Sequence, residues 1–142
     1  MNINRKGSAK WLGGIKDGKG AISTGSGALS DYPYGFASRF EGVAGSNPEE
    51  LLAAGHAACF TMALTLVLAE SGLTAETLDT KAVVTLEQGD GGFFIPTVQL
   101  TLRAKIPGAD DAIFQAAAAA AKTNCPLSKV LSAAITLDAK LV

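Results

Sequence analysis

Hydrophobic and polar positions change period several times along the chain, and each change marks an element. Ser8 to Leu12 and Gly20 to Thr24 read as strands, separated by Gly13-Gly14 and Asp17-Gly18 turns. Tyr32-Pro33-Tyr34-Gly35 reads as another turn. Phe36 to Glu41 then alternates, with Phe36, Ser38 and Phe40 on one face of a predicted strand and Ala37, Arg39 and Glu41 on the other. From Pro48 to about Ser71 the pattern predicts a helix. Asn47 suits its N-cap, Pro48 its first turn, Glu50 a capping box and Gly72 the C′ stop. Between these signals Leu51 to Ala69 is apolar nearly all round, so the helix is either enclosed or membrane-spanning. It is roughly long enough to cross a bilayer. The half-buried strands around it need a core partner, and no aromatic belt or basic flank brackets it. It is therefore read as a long buried central helix.

Thr80 to Glu87 and Thr97 to Ile106 form the next predicted strand pair, joined by a hairpin through Gly89-Asp90-Gly91-Gly92 and ended by Pro107-Gly108. Asp110 or Asp111 starts an alanine-rich helix running to about Thr123, alanine being the best helix former. Pro126 to Ser132 reads as a short helix and Ala134 to Leu141 as a final strand. The predicted class is α+β, with antiparallel sheet around the central helix.

Composition adds a partner to this picture. The 142 residues suit one domain, 1–142. The chain is 48% hydrophobic and only 18% charged. That is apolar for a small soluble protein, and it predicts burial against a partner subunit. Net charge is −1, with lysine and arginine scattered, so no basic patch recommends nucleic acid. One histidine and two cysteines leave little for a metal centre, and neither a metal nor a cofactor is expected. The polar opening Met1 to Lys6 does not read as a secretory leader, so the expected location is cytoplasmic.

Reduced thiols are the rule there, which makes Cys59 and Cys125 a redox-active pair rather than a structural staple. The competing reading is two buried cysteines acting as small hydrophobes; their spacing forms no CxxC motif. A reactive thiolate needs a positive neighbour. Cys125, directly before Pro126, sits at or near a predicted N-cap and would face free backbone N–H groups. Cys59 lies mid-helix, where desolvation raises its pKa, and becomes reactive only if a cation reaches it. His56, three residues earlier, shares its helix face, which allows a Cys–His dyad. The alternative is a buried, hydrogen-bonded histidine. A zinc site of His56, Cys59 and Cys125 lacks a fourth ligand. Arg39, between two phenylalanines, either points to water or meets an anion such as Glu49 or Glu50. Both acids also suit the helix dipole.

Read together, these residues resemble the OsmC/Ohr family: osmotically inducible protein C and the organic hydroperoxide resistance proteins. The resemblance rests on Tyr34-Gly35-Phe36, on Arg39-Phe40-Glu41-Gly42, on the block from Gly45-Ser46-Asn47-Pro48-Glu49-Glu50 to Ala57-Ala58-Cys59-Phe60, and on Cys125-Pro126-Leu127-Ser128. It spans the chain end to end and is nearer the OsmC branch. It implies an OsmC-like fold, an intertwined homodimer with sites at the subunit interface, and a thiol peroxidase of organic hydroperoxides in stress defence. Cys59 matches the peroxidatic cysteine, Cys125 the resolving one, Arg39 the arginine that holds the thiolate, and Glu49 the acid paired with it. His56 has no required role in the family pattern. The implied reductant is an external dithiol, a lipoyl protein being one candidate.

Two further expectations accompany the resemblance. Phe36, Phe40, Phe60 and Met62 are expected, from residue type, to line an apolar pocket that favours organic hydroperoxides over hydrogen peroxide. Glu49 and Cys59 lie ten positions apart on the predicted helix, about 15 Å along its axis and roughly 80° around it. One Arg39 side chain would hardly reach both, so Glu49 and Arg39 are expected from the partner chain. The alternative function is a non-catalytic carrier of apolar ligands, with the cysteines as core residues.

Overall fold

The computed structural model describes all residues, 1–142, which form two compact units, Met1–Leu51 and Leu52–Val142.

In the first unit, β1 (Gly7–Leu12), β2 (Lys19–Thr24) and β3 (Tyr32–Tyr34) make an antiparallel sheet in that order. The Tyr32-Pro33-Tyr34 segment, expected as a turn, is therefore an edge strand, the place in a sheet where proline is tolerated. Trp11 and Tyr34 meet across Gly20 as a tilted pair, ring centroids 5.4 Å apart and planes at 60°. A Cβ on Gly20 would sit 2.3 Å from the Tyr34 ring, so only glycine lets the two rings meet there.

Phe36–Phe40 is a helix, α1, not the predicted strand. Phe36 and Phe40 are four apart, a spacing that satisfies both the two-residue period of a strand and one turn of helix. Their rings lie 4.9 Å apart. The helix is selected at its start, where the Ser38 hydroxyl accepts from the Gly35 N–H at 2.9 Å and donates to carbonyl oxygens of Gly35 and Ser46. No hydrophobic side chain among residues 1–51 is buried.

α2 (Pro48–Glu70) begins at the end of this unit and gives most of its length to the second. Asn47 caps it, its Oδ1 accepting from the Glu50 N–H at 2.8 Å. Gly72, at φ 71°, ends it as a Schellman motif: Leu73 N–H bonds to Leu68 O and Gly72 N–H to Ala69 O. Within the chain α2 buries only the stripe His56, Phe60, Leu64 and Leu68. Met62 stays 75% exposed and Leu66 65%. The expected all-round burial is thus not achieved inside one chain, although the helix is long and apolar enough to cross a membrane.

The second sheet has the order β4 (Thr77–Gly89), β5 (Gly92–Lys105), β6 (Ala134–Leu141). β4 and β5 form the predicted hairpin, with Gly89 opposite Gly92. β4 starts earlier than predicted, at Thr77, and at the hairpin end both strands run past their predicted limits because the register shift between Thr85 and Glu87 absorbs Ile95-Pro96. β6 runs parallel to β5, so this sheet is mixed rather than antiparallel. The crossover that a parallel pair requires is supplied by α3 (Asp111–Asn124) and α4 (Pro126–Val130). Asp110 starts α3 by accepting from the Ile113 N–H at 2.8 Å. Alternate residues Val98, Leu100, Leu102 and Ala104 of β5 join Phe114, Ala117, Ala118 and Ala121 of α3 and the buried stripe of α2 in one core.

Candidate active site

Cys59 and Cys125 are brought together within the second unit. α2 carries Cys59 at half depth, and the α3–α4 junction carries Cys125, which is wholly buried. Their sulfurs lie 2.7 Å apart as free thiols, with the Cys125 Sγ donating to that of Cys59. Condensation to a disulfide, at about 2.05 Å, needs only a small further approach.

Cys125 is the N-cap of α4 as expected, but its side chain does not cap that helix. A free amide of the first turn serves the other cysteine: the Leu127 N–H donates to the sulfur of Cys59. Burial raises the Cys59 thiol above its ordinary value. The Cys125 thiol adds to the rise, and the Leu127 amide opposes it. No cation is among these influences.

His56 is fully buried one turn before Cys59, and its Nε2 lies 2.9 Å from the Ser128 Oγ. Burial depresses its pKa, so it is a neutral imidazole bound to a serine rather than a cation paired with Cys59. No hydrogen bond or charge from His56 acts on Cys59, so the expected face-sharing does not become a Cys–His dyad here. Ser128 enters the sequence reading only as the end of the Cys125-Pro126-Leu127-Ser128 motif, with no role of its own. The signal was present, since a buried histidine needs a partner and a serine stands three residues after Cys125.

Arg39 and Glu49 are brought together within the first unit. Arg39 Nη2 lies 2.7 Å from Glu49 Oε1, and its Nε is 3.2 Å from each carboxylate oxygen. This two-pronged geometry fixes the guanidinium plane. The Glu49 side chain is 13% exposed and that of Arg39 36%, so one edge of the guanidinium remains open. Arg39 also lies over the Phe40 ring, 5.3 Å from its centroid. With Trp11, Ile15, Tyr34, Gly35, Phe36 and Phe40 it lines a cavity of about 310 Å³. Phe36 and Phe40 are thus pocket residues as expected. Phe60 is not, being fully enclosed in the core of the second unit. Met62 lies instead on a groove between α2 and β4.

Comparison with known proteins agrees with this chemistry. The family model for OsmC-like protein matches residues 41–140. Peroxiredoxin OsmC of Escherichia coli K12 is 51% identical over 141 residues, covering 99% of both chains. Organic hydroperoxide resistance protein OhrB of Bacillus subtilis is 36% identical over 90 residues, 63% of this chain and 64% of its own. The crystal structure of that OhrB superposes with a TM-score of 0.75 at 31% identity, over 99% of this chain and 98% of its own. An OsmC-like protein from Mycoplasma pneumoniae reaches a TM-score of 0.78 at 17% identity, over 100% of this chain and 99% of its own, a likeness of fold alone. By sequence and fold, with the stronger likeness on the OsmC side, this chain belongs to the OsmC-like protein family.

Proposed function

We propose that this chain is a thiol-dependent peroxidase of organic hydroperoxides, with Cys59 as the peroxidatic and Cys125 as the resolving cysteine. The observation that carries this reading is the pair of free sulfurs 2.7 Å apart, one half-exposed and one enclosed. Cys125 is wholly buried, which leaves Cys59 as the cysteine that meets a peroxide.

The Cys59 thiolate attacks the distal oxygen of the hydroperoxide. The O–O bond breaks, and the departing alkoxide takes a proton to leave as an alcohol. Cys59 becomes a sulfenic acid. The Cys125 sulfur then attacks the Cys59 sulfur, the S–O bond breaks, and hydroxide leaves with the Cys125 proton as water. An external dithiol, with a lipoyl protein as the candidate, reduces the disulfide by thiol exchange. The apolar cavity beside Arg39 suits an organic hydroperoxide better than hydrogen peroxide.

Cys59 still needs a cation, because its own surroundings hold the thiol up. Arg39 fills that role, lowering the thiol pKa and orienting the peroxide, while Glu49 holds the guanidinium in plane. The chain works as one OsmC-like domain in an intertwined homodimer, and Arg39 and Glu49 of one chain complete the cysteine site of the other. Two observations support the dimer. The first 51 residues bury no hydrophobic side chain, which a free-standing unit of that size would need. α2 also leaves Met62 and Leu66 uncovered. A second copy laid on these faces buries both and leaves α2 enclosed, in a cytoplasmic protein.

The test is a peroxidase assay comparing an alkyl hydroperoxide with hydrogen peroxide, each with lipoyl and thioredoxin-type reductants. Turnover faster on the alkyl substrate is expected. No turnover with either peroxide, together with no thiol reacting below the ordinary thiol range, would favour an apolar-ligand carrier instead.

A further inference from the structure

Within the core stripe of α2, His56 is the anomaly. Phe60, Leu64 and Leu68 continue the stripe as members of the hydrophobic core, whereas His56 places an imidazole there at zero exposure. A buried polar group without full hydrogen bonding is costly. Among the protein's atoms Nδ1 has no partner, so Ser128 supplies the one hydrogen bond of the ring. A leucine would fill the site at lower cost, and what the histidine adds is a directional tie to α4.

That tie reaches an element that cannot hold itself in place. α4 has five residues, far below the length at which a helix is stable alone. No side chain caps it. Its first turn nevertheless carries what the proposed chemistry needs, namely Cys125 at the N-cap and the Leu127 amide that bonds to Cys59. Leu127 packs close over Gly55, its Cδ1 only 3.5 Å from where a Cβ would stand. The Ser128–His56 bond fastens the same turn one residue further on, to the α2 turn that ends in Cys59.

We propose that His56 and Ser128 are a positioning pair for the resolving step. Their hydrogen bond holds the first turn of α4 in register on α2, so that Cys125 meets the Cys59 sulfenic acid before a second peroxide does. The inference rests on the assignment of Cys59 and Cys125 made above. Neither residue touches the substrate or exchanges a proton with it.

The experiment is rapid mixing of the reduced full-length protein with an alkyl hydroperoxide, following Cys59 oxidation and disulfide closure separately. Mass spectrometry then reads the Cys59 sulfinic acid formed at high peroxide. Ser128→Ala and His56→Leu are expected to slow closure about five- to tenfold, the scale of one lost hydrogen bond, and to raise the sulfinic fraction in proportion. His56→Gln, whose amide can still bond to Ser128, should restore closure to within about twofold, a recovery that a packing role alone would not give. Ser128→Ala removes a single half-buried hydroxyl, so the test stands even if His56→Leu folds poorly. Unchanged closure in Ser128→Ala with normal Cys59 oxidation would overturn this inference alone. Failure of the unmodified protein to oxidise Cys59 would instead overturn the peroxidase assignment.

Discussion

The backbone N–H of Leu127 donates to the sulfur of Cys59, although Cys125 is the cysteine at the N-cap of that helix. The donor therefore lies on one element and the sulfur it steadies on another. It lowers the Cys59 thiol, but burial and the adjacent Cys125 thiol outweigh it. A further positive group is needed for Cys59 to ionise near neutral pH.

Arg39 is that group in the present account, and its shape matters as well as its charge. Arg39→Ala should move the pH midpoint of Cys59 alkylation upward, because a lost cation leaves the thiol at its raised value. Arg39→Lys should recover part of that shift yet still lose about ten- to a hundredfold in turnover, since lysine cannot grip Glu49 by two prongs. Near-normal turnover in Arg39→Lys would show that a diffuse positive field suffices.

Mixing variant chains tests which chain supplies the arginine. Dimers formed from one Cys59→Ser chain and one Arg39→Ala chain should regain one intact site of the two if sites are shared between chains. Activity should then return on mixing, from near zero towards about half the parent value per dimer. Verified mixed dimers that stay inactive would place Arg39 and Cys59 on the same chain.

Much of this was legible from the sequence, and the misses share a cause. Asn47, Gly72 and Asp110 act within a few residues, so the bounds of α2 and the start of α3 could be read from them. Phe36 and Phe40 fit two periods at once, and only the Gly35–Ser38 hydrogen bonds choose the helix. The parallel pairing of β5 with β6 depends on where the α3–α4 crossover lands, which no local pattern records. In the site, the cysteine pair and the Arg39–Glu49 pair were expected from family resemblance rather than from spacing. The free amides at the start of α4 are legible from Pro126, but that Leu127 serves Cys59 rather than Cys125 depends on how α4 packs on α2, which no local pattern records.

His56 should make the protein sensitive to mild acid. Burial holds its pKa below the ordinary 6.5, so the folded state resists a proton that the unfolded chain accepts. The resulting stability is fully present above about 6.5 and is lost as pH falls through the lowered folded value. In urea unfolding at pH 7.5 and pH 5, the parent protein should lose more stability on acidification than His56→Gln. Equal losses would mean that His56 accepts a proton in the folded state at little cost.

The central claim is that Cys59 attacks and Cys125 resolves, and single-turnover oxidation tests it most directly. Reduced protein given one equivalent of an alkyl hydroperoxide should release one equivalent of alcohol and yield a Cys59–Cys125 disulfide on peptide mapping. Under the same conditions Cys125→Ser should complete its one turnover and stop at a Cys59 sulfenic acid, while Cys59→Ser should leave the peroxide untouched. The opposite pattern, with Cys59→Ser consuming peroxide at Cys125 and Cys125→Ser inert, would contradict the account.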